Sequence, residues 1–210
     1  MTSILNNLLL EESPELAFAT IAVAGLGLFI GSSIGLALII IGVMALCFLV
    51  LFYRWEPFNR RVPNHIILSP CEGTVVAKKQ ADNYTYIAIF LDIFNRHTQI
   101  YPVNGLVVDR YYDKTGKFKI MSNLDKSRDN EKVIHWIETK WGMVELTQIA
   151  GLLHRMIVFE EEINLSVRAG EYLGMMKFGS RVDMLIPNCW LDIEIGDQVD
   201  IGEQIGHFKS

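Results

Sequence analysis

Residues 16–53 contain no Lys, Arg, Asp, Glu or His. This run of 38 residues constrains the fold more than any other feature of the chain. A helix crossing the hydrocarbon core of a bilayer needs only about 20 apolar residues. The whole run as one helix would be a rod of roughly 57 Å, too long for a single span without extreme tilt. Gly31-Ser32-Ser33 interrupts it near its middle. The pattern predicts two short helices, over 16–30 and 34–53, forming a hairpin. A cleaved signal peptide fits poorly, because the segment is too long and lacks a basic start.

The flanks predict an orientation. Residues 1–15 hold Glu11, Glu12 and Glu15 but no Lys or Arg, while Arg54, Arg60 and Arg61 follow the second apolar stretch. The positive-inside rule then puts the C-terminal part on the cytoplasmic side of a cell membrane. Trp55 and these arginines also suit the level of the lipid headgroups. All 19 Lys and Arg lie after residue 53, against 21 of the 24 acids. That near balance, without a long basic block, argues against nucleic acid as a partner. Cys47, Cys71 and Cys189 form no C-x-x-C. Neither a disulfide framework nor a zinc site is indicated, and no metal or diffusible cofactor is implied.

The chain therefore divides into an N-terminal segment (1–15), a membrane anchor (16–53), a Pro- and Arg-bearing linker (54–65) and a β domain (66–210). Strands are expected at 66–68, 74–76, 84–90, 106–108, 133–139 and 143–146, with a mobile polar loop over 113–131. One echo stands out. Val167-Arg168-Ala169-Gly170-Glu171-Tyr172-Leu173-Gly174 and Val199-Asp200-Ile201-Gly202-Glu203-Gln204-Ile205-Gly206 both read V-x-x-G-E-x-x-G, 32 residues apart. Glycine permits the positive-φ geometry of tight turns. Two copies predict a mainly β, barrel-sandwich-like domain of short strands with a pseudo-repeat.

Gly179-Ser180 sits between apolar Met175-Met176 and Met184-Leu185-Ile186. By itself it reads as an ordinary turn. Its surroundings are more specific. The block 148–187, QIAGLLHRMIVFEEEINLSVRAGEYLGMMKFGSRVDMLIP, resembles the corresponding block of phosphatidylserine decarboxylases, especially their short, archaeal-type form. An I-A-G segment, the V-x-x-G-E-x-x-G turn and F-G-S-R-V-D occur there in the same order. Upstream, Ser69-Pro70-Cys71-Glu72-Gly73-Thr74-Val75 is similar to the family's S-P-A-D-G-x-V. Phe94-Asn95-Arg96-His97, followed by Pro102-Val103-Asn104-Gly105, is similar to F-[ND]-x-H…P-V-x-G. Asn130-Glu131-Lys132 matches N-E-R, and Tyr53-Arg54-Trp55-Glu56-Pro57 approximates F-R-D-P. The resemblance covers roughly residues 50–210, and the short forms also carry an apolar N-terminal hairpin.

The resemblance implies a zymogen of phospholipid biosynthesis that forms phosphatidylethanolamine and CO2. Decarboxylating an amino acid requires an electron sink, which side chains do not provide. In this family the sink is a pyruvoyl group, which forms a Schiff base with the substrate amine. Here it would come from Ser180. The Ser180 hydroxyl attacks the Gly179 carbonyl, elimination breaks the resulting ester, and hydrolysis releases ammonia. A β chain (1–179) and a pyruvoyl-capped α chain (180–210) would remain associated, in a homodimer by family analogy. The resemblance makes His97 an active-site proton-transfer group and gives Glu72 a supporting part in self-cleavage. His135, His154 and His207 have no motif support and read as structural, although His207 lies on the small chain.

Two departures matter. The family has Asp where this chain has Glu72, which moves the carboxylate by about 1.5 Å. A shift of about 1 Å can cost on the order of 100-fold in a positioned reaction. Long-form members have a second histidine at the position of Ile100, so the processing base stays unassigned. Two alternatives remain: an unprocessed pseudoenzyme that binds lipid or a partner, and a decarboxylase of a related serine-headgroup lipid.

Overall fold

The computed structural model describes residues 14–52, 54, 58, 60–115, 130–151, 157–159, 162–176 and 180–209. The chain forms two units, Met1–Glu56 and Pro57–Ser210. The first holds the apolar helices α1 (Pro14–Ile30) and α2 (Ser33–Phe52). Gly31, at φ 57°, ends α1 in a backbone conformation that glycine adopts without strain. The Ser32 carbonyl then accepts the Leu36 N–H at 3.0 Å and opens α2. With 20 residues α2 is about 30 Å long, and among the described residues it is the one helix long and apolar enough to cross a membrane. Small residues bring the two helices into contact. A Cβ added at Gly27 would lie 2.5 Å from the Gly35 oxygen, and one at Gly42 2.8 Å from Ala24.

The second unit is β-structured in its described residues. In chain order the strands are β1 (Ile66–Leu68), β2 (Gly73–Gln80), β3 (Tyr84–Leu91), β4 (Thr98–Ile100), β5 (Gly105–Asp113), β6 (Lys132–Thr139) and β7 (Gly142–Ile149). There follow β8 (Ile157–Phe159), β9 (Leu165–Val167), β10 (Tyr172–Met176), β11 (Ser180–Pro187), β12 (Cys189–Leu191), β13 (Gln198–Val199) and β14 (Gln204–Phe208). The large sheet runs β13-β2-β3-β11-β7-β6-β5-β9; two three-stranded sheets run β1-β14-β12 and β4-β10-β8. Burial alternates along β2 and β6, as expected of strands with one face on a core. Central β3 and β11 are covered more completely, and Ile87, Ile89, Leu91, Val182 and Ile186 are fully buried.

The short strands β4, β8, β9, β12 and β13 were not anticipated; at two or three residues each they are too short to establish an alternating pattern, and β4, β9 and β13 also lack the continuous apolar run that marked β1. The expected polar loop over 113–131 needs correction at its ends. Asp113 belongs to β5, and Asn130 and Glu131 are buried, tied to Ala150 by bonds of 3.1 and 2.9 Å. Residues 116–129 lie outside the described residues.

The two V-x-x-G-E-x-x-G segments fold alike. Arg168 N–H donates to Glu171 Oε2 at 2.9 Å and Asp200 N–H to Glu203 Oε2 at 2.8 Å. Gly170 N–H donates to the Tyr101 carbonyl at 2.9 Å and Gly202 N–H to the Ser69 carbonyl at 3.0 Å. Their φ values are 94° and 76°. A second reason for glycine is Phe58, whose ring fills the space beside both. A Cβ would meet it at 2.2 Å from Gly170 and 2.7 Å from Gly202. The correspondence extends upstream, since Leu68 N–H donates to the Pro102 carbonyl and Ile100 N–H to the Pro70 carbonyl, each at 2.9 Å.

Candidate active site

Strand pairing brings the distant motifs together. Ser180 opens β11 and lies opposite Leu91, the last residue of β3. Met175, near the end of β10, lies opposite Thr98, the first residue of β4. Residues 92–97 and 177–179 therefore connect the same two pairs of strands. β10 and β11 belong to different sheets, so the Gly-Ser step falls where the chain leaves one sheet for another. Gly179 itself lies outside the described residues.

Ser180 is fully buried, and its Oγ has no hydrogen-bond partner among the described residues. A buried hydroxyl left unsatisfied costs about 1–3 kcal/mol, so such a group in a folded chain calls for a functional account. Its neighbours do not share the condition. In a strand, residues two apart share a face, and buried Arg181 forms a bidentate pair with half-buried Asp183 at 2.6 and 2.9 Å. Tyr86 Oη also donates to Asp183, at 2.8 Å. The R-x-D spacing within a strand was a readable signal for this pair, and the sequence reading did not use it.

His97 is also fully buried. Its Nδ1 lies 2.8 Å from the Asn95 carbonyl. A carbonyl only accepts, so Nδ1 carries the proton and Nε2 is the basic nitrogen. Burial pushes the His97 pKa down to about 4, against smaller upward effects of the Asn95 carbonyl, Asp92 and Glu72. At neutral pH the ring is an uncharged base.

Glu72 is joined to this loop. Its Oε2 accepts from Arg96 Nε at 2.7 Å and from the Arg96 backbone N–H at 3.3 Å, and its Oε1 from Asn95 Nδ2 at 3.1 Å. Burial alone would raise its pKa, but the Arg96 and Asn95 hydrogen bonds outweigh it and hold the carboxyl below its usual range. Arg96 also pairs with Asp200 in the second Gly-Glu turn. Three segments thus meet on one guanidinium: the S-P-C-E-G turn, the loop carrying His97 and the repeat turn. The sequence named Glu72 and His97 but not Arg96.

Among the other histidines, His154 lies outside the described residues. His207 is part-buried on β14 between Ile66 and Trp190. His135 is fully buried on β6, and its Nε2 meets Gln148 Oε1 at 2.8 Å. Burial, aided by the Arg110 charge and opposed by Gln148, pushes its pKa down to about 4.

These two histidines predict acid sensitivity. An unfolded chain's histidine titrates near 6.5, so between pH 6.5 and 4 the unfolded state binds more protons. The stability tied to the neutral rings is fully present above pH 6.5 and is lost as pH falls toward 4. The separation corresponds to roughly 3 kcal/mol per histidine. A melting-temperature series in detergent from pH 7.5 to 4 should show a steep fall over that window.

Comparisons with known proteins identify the family. Residues 48–207 match the family model described as phosphatidylserine decarboxylase. A phosphatidylserine decarboxylase proenzyme of Solibacter usitatus (strain Ellin6076) is 34% identical over 165 residues, covering 78% of this chain and 79% of the relative. A protein of the same name from Geotalea daltonii is 30% identical over 203 residues, 93% of each chain. A Methanosarcina mazei protein named as a candidate archaetidylserine decarboxylase proenzyme is 33% identical over 165 residues, 77% of this chain and 76% of the relative. The matched span contains the buried serine, the His97 loop and both Gly-Glu turns, and the chain belongs to the phosphatidylserine decarboxylase family.

Proposed function

We propose that this chain is a membrane-anchored, self-splitting carboxy-lyase that converts phosphatidylserine to phosphatidylethanolamine and CO2. The observation that carries the proposal is the buried Ser180 hydroxyl, without a hydrogen-bond partner among the described residues, at the junction of two sheets and beside the loop that bears a neutral buried histidine. Such an oxygen fits a residue destined to be converted, because conversion breaks no hydrogen bond to the described residues. Splitting at Gly179-Ser180 leaves Ser180 as the site of a pyruvoyl group, which supplies a carbonyl electron sink for decarboxylation. The surrounding residues hold the parts in place. Pairing of β11 with both β3 and β7 fixes the backbone of Ser180 and Arg181. His97 gives and takes a proton at Nε2. Ionised Glu72 supports splitting through Asn95 and Arg96, whose positions it fixes.

The helices α1 and α2 act as a hairpin anchor, with the barrel-sandwich-like domain on the cytoplasmic side, where it meets the serine headgroup. Intact-mass measurement of the purified protein tests the proposal. The expected result is two pieces, residues 1–179 and 180–210, with the smaller one trapped by hydroxylamine at its new N-terminus. The small piece should co-purify until denaturant is added. Its β11 lies between β3 and β7, and its β14 pairs with β1, all strands of the larger piece except β14's second neighbour, β12. A single uncut mass, inert to hydroxylamine, would favour the lipid- or partner-binding pseudoenzyme instead.

A second reading is favoured by the Methanosarcina relatives, which match about as well as the bacterial ones. It keeps the serine headgroup and changes the lipid tails. Vesicles of phosphatidylserine and of archaetidylserine, assayed side by side for CO2 release, distinguish the two.

A further inference from the structure

His135 lies far from Ser180 in sequence and in no recognised motif, yet it belongs to a buried chain of hydrogen bonds that ends on His97. Arg110 on β5 donates from Nε to His135 Nδ1 at 3.1 Å. His135 Nε2 meets Gln148 Oε1 at 2.8 Å. Gln148 Nε2 donates to Gln99 Oε1 at 2.9 Å. Gln99 Nε2 donates to the His97 carbonyl. His135, Gln148, Gln99 and His97 are all fully buried.

The chain has one direction, and Arg110 sets it. A guanidinium has donors only. His135 Nδ1 must therefore accept, which places its proton on Nε2. Gln148 must then present its oxygen to His135 and its amide to Gln99, and Gln99 must do likewise toward His97. Turning over either amide would set donor against donor or acceptor against acceptor where water is excluded, at about 1–3 kcal/mol for each group left unpaired. Arg110 is held in turn, donating from Nη2 to Tyr101 Oη at 2.6 Å and from Nη1 to the Glu162 carbonyl.

At the far end, the His97 carbonyl also receives the Met176 N–H at 3.1 Å. Met176 is the last residue of β10, directly before the segment that leads to Ser180. The peptide of His97 is therefore pinned between the hydrogen-bond chain and the strand that delivers the splitting site.

We infer that His135 is a positioning residue, which acts through Gln148 and Gln99 to hold His97 in register with the end of β10. The inference rests on the proposed role of His97 and extends it across three strands. Its test uses the full chain in lipid nanodiscs and three variants. His135→Phe keeps the ring and its approximate volume but removes both hydrogen bonds. Gln99→Met keeps the length and removes the link to His97. His135→Gln keeps an acceptor for Arg110 and a donor for Gln148.

Hydrogen exchange at the Met176 amide is the readout independent of activity. It should speed up about tenfold, the equivalent of about 1.4 kcal/mol, in His135→Phe and Gln99→Met. kcat on split chains should fall about 10- to 100-fold in both, with KM nearly unchanged. His135→Gln should recover most of both readouts. The inference is overturned if His135→Gln is as impaired as His135→Phe, or if Met176 exchange stays at the wild-type rate. It is also overturned if the kcat losses merely follow the fall in melting temperature. A wild-type chain that neither splits nor decarboxylates would sink the proposed function, and the catalytic part of the inference with it, whatever the exchange data show.

Discussion

Ser180→Ala yields a single uncut chain of 23.9 kDa with decarboxylation reduced to background, and it melts no lower than the wild type. The first half of that expectation follows from losing the nucleophile and the only source of the carbonyl group. The second half is the sharper one. Most buried polar side chains contribute a hydrogen bond, so removing one usually destabilises. Ser180 Oγ has no partner among the described residues, and alanine removes a desolvated hydroxyl rather than an interaction. Against an uncut chain that keeps Ser180, the gain is on the order of 1 kcal/mol. The uninterrupted chain acts in the same direction. Stability kept or raised while activity disappears is the pattern of a residue held for chemistry. Intact mass, a CO2-release assay and a thermal melt check it together. A clear drop in melting temperature relative to an uncut chain that keeps Ser180 would mean that the hydroxyl has a structural partner.

The second large effect belongs to His97→Asn. Asparagine can offer Nδ2–H to the Asn95 carbonyl, as His97 Nδ1 does at 2.8 Å, but has nothing in place of the basic Nε2. The loop should keep its shape while the proton carrier is lost. kcat should fall by about 10²- to 10⁴-fold, the usual range for a positioned acid–base group. Counting only split chains, identified by mass, separates this effect from any effect on processing. The wild-type pH profile provides an independent check. With the His97 pKa pushed down to about 4 by burial, the base form persists through the range where an ordinary histidine protonates. The rate on folded protein should stay flat from pH 7.5 to about 5 and decline only below that. A decline centred near 6.5 would mean that another group carries the proton.

The Asp-to-Glu difference at position 72 takes on a different meaning in the fold. From the sequence it suggested a misplaced carboxylate. In the structure the longer side chain reaches Asn95 and both the backbone and side-chain nitrogens of Arg96, and Arg96 reaches Asp200. The carboxylate is hydrogen-bonded to the loop that carries His97, a contact that accommodates the extra methylene.

Residue order alone determined a good deal. An uncharged run of 38 residues has few physical options, and its interruption at Gly31 is visible because glycine tolerates positive φ. The doubled V-x-x-G-E-x-x-G was legible for the same reason, since a turn of that geometry dictates its own residues. Gly179-Ser180, His97 and Glu72 were marked by contiguous motifs. Tertiary structure decided what depends on partners far apart in the chain. Phe58 explains the two glycines only once the turns stand on either side of one ring. Gln99 and Gln148 are 49 residues apart, and His135 gains a direction only from Arg110. Local sequence encodes backbone preference, so it reveals turns and spans. The orientation of a buried polar side chain is set by whichever group faces it across the sheets, and strand register alone supplies that.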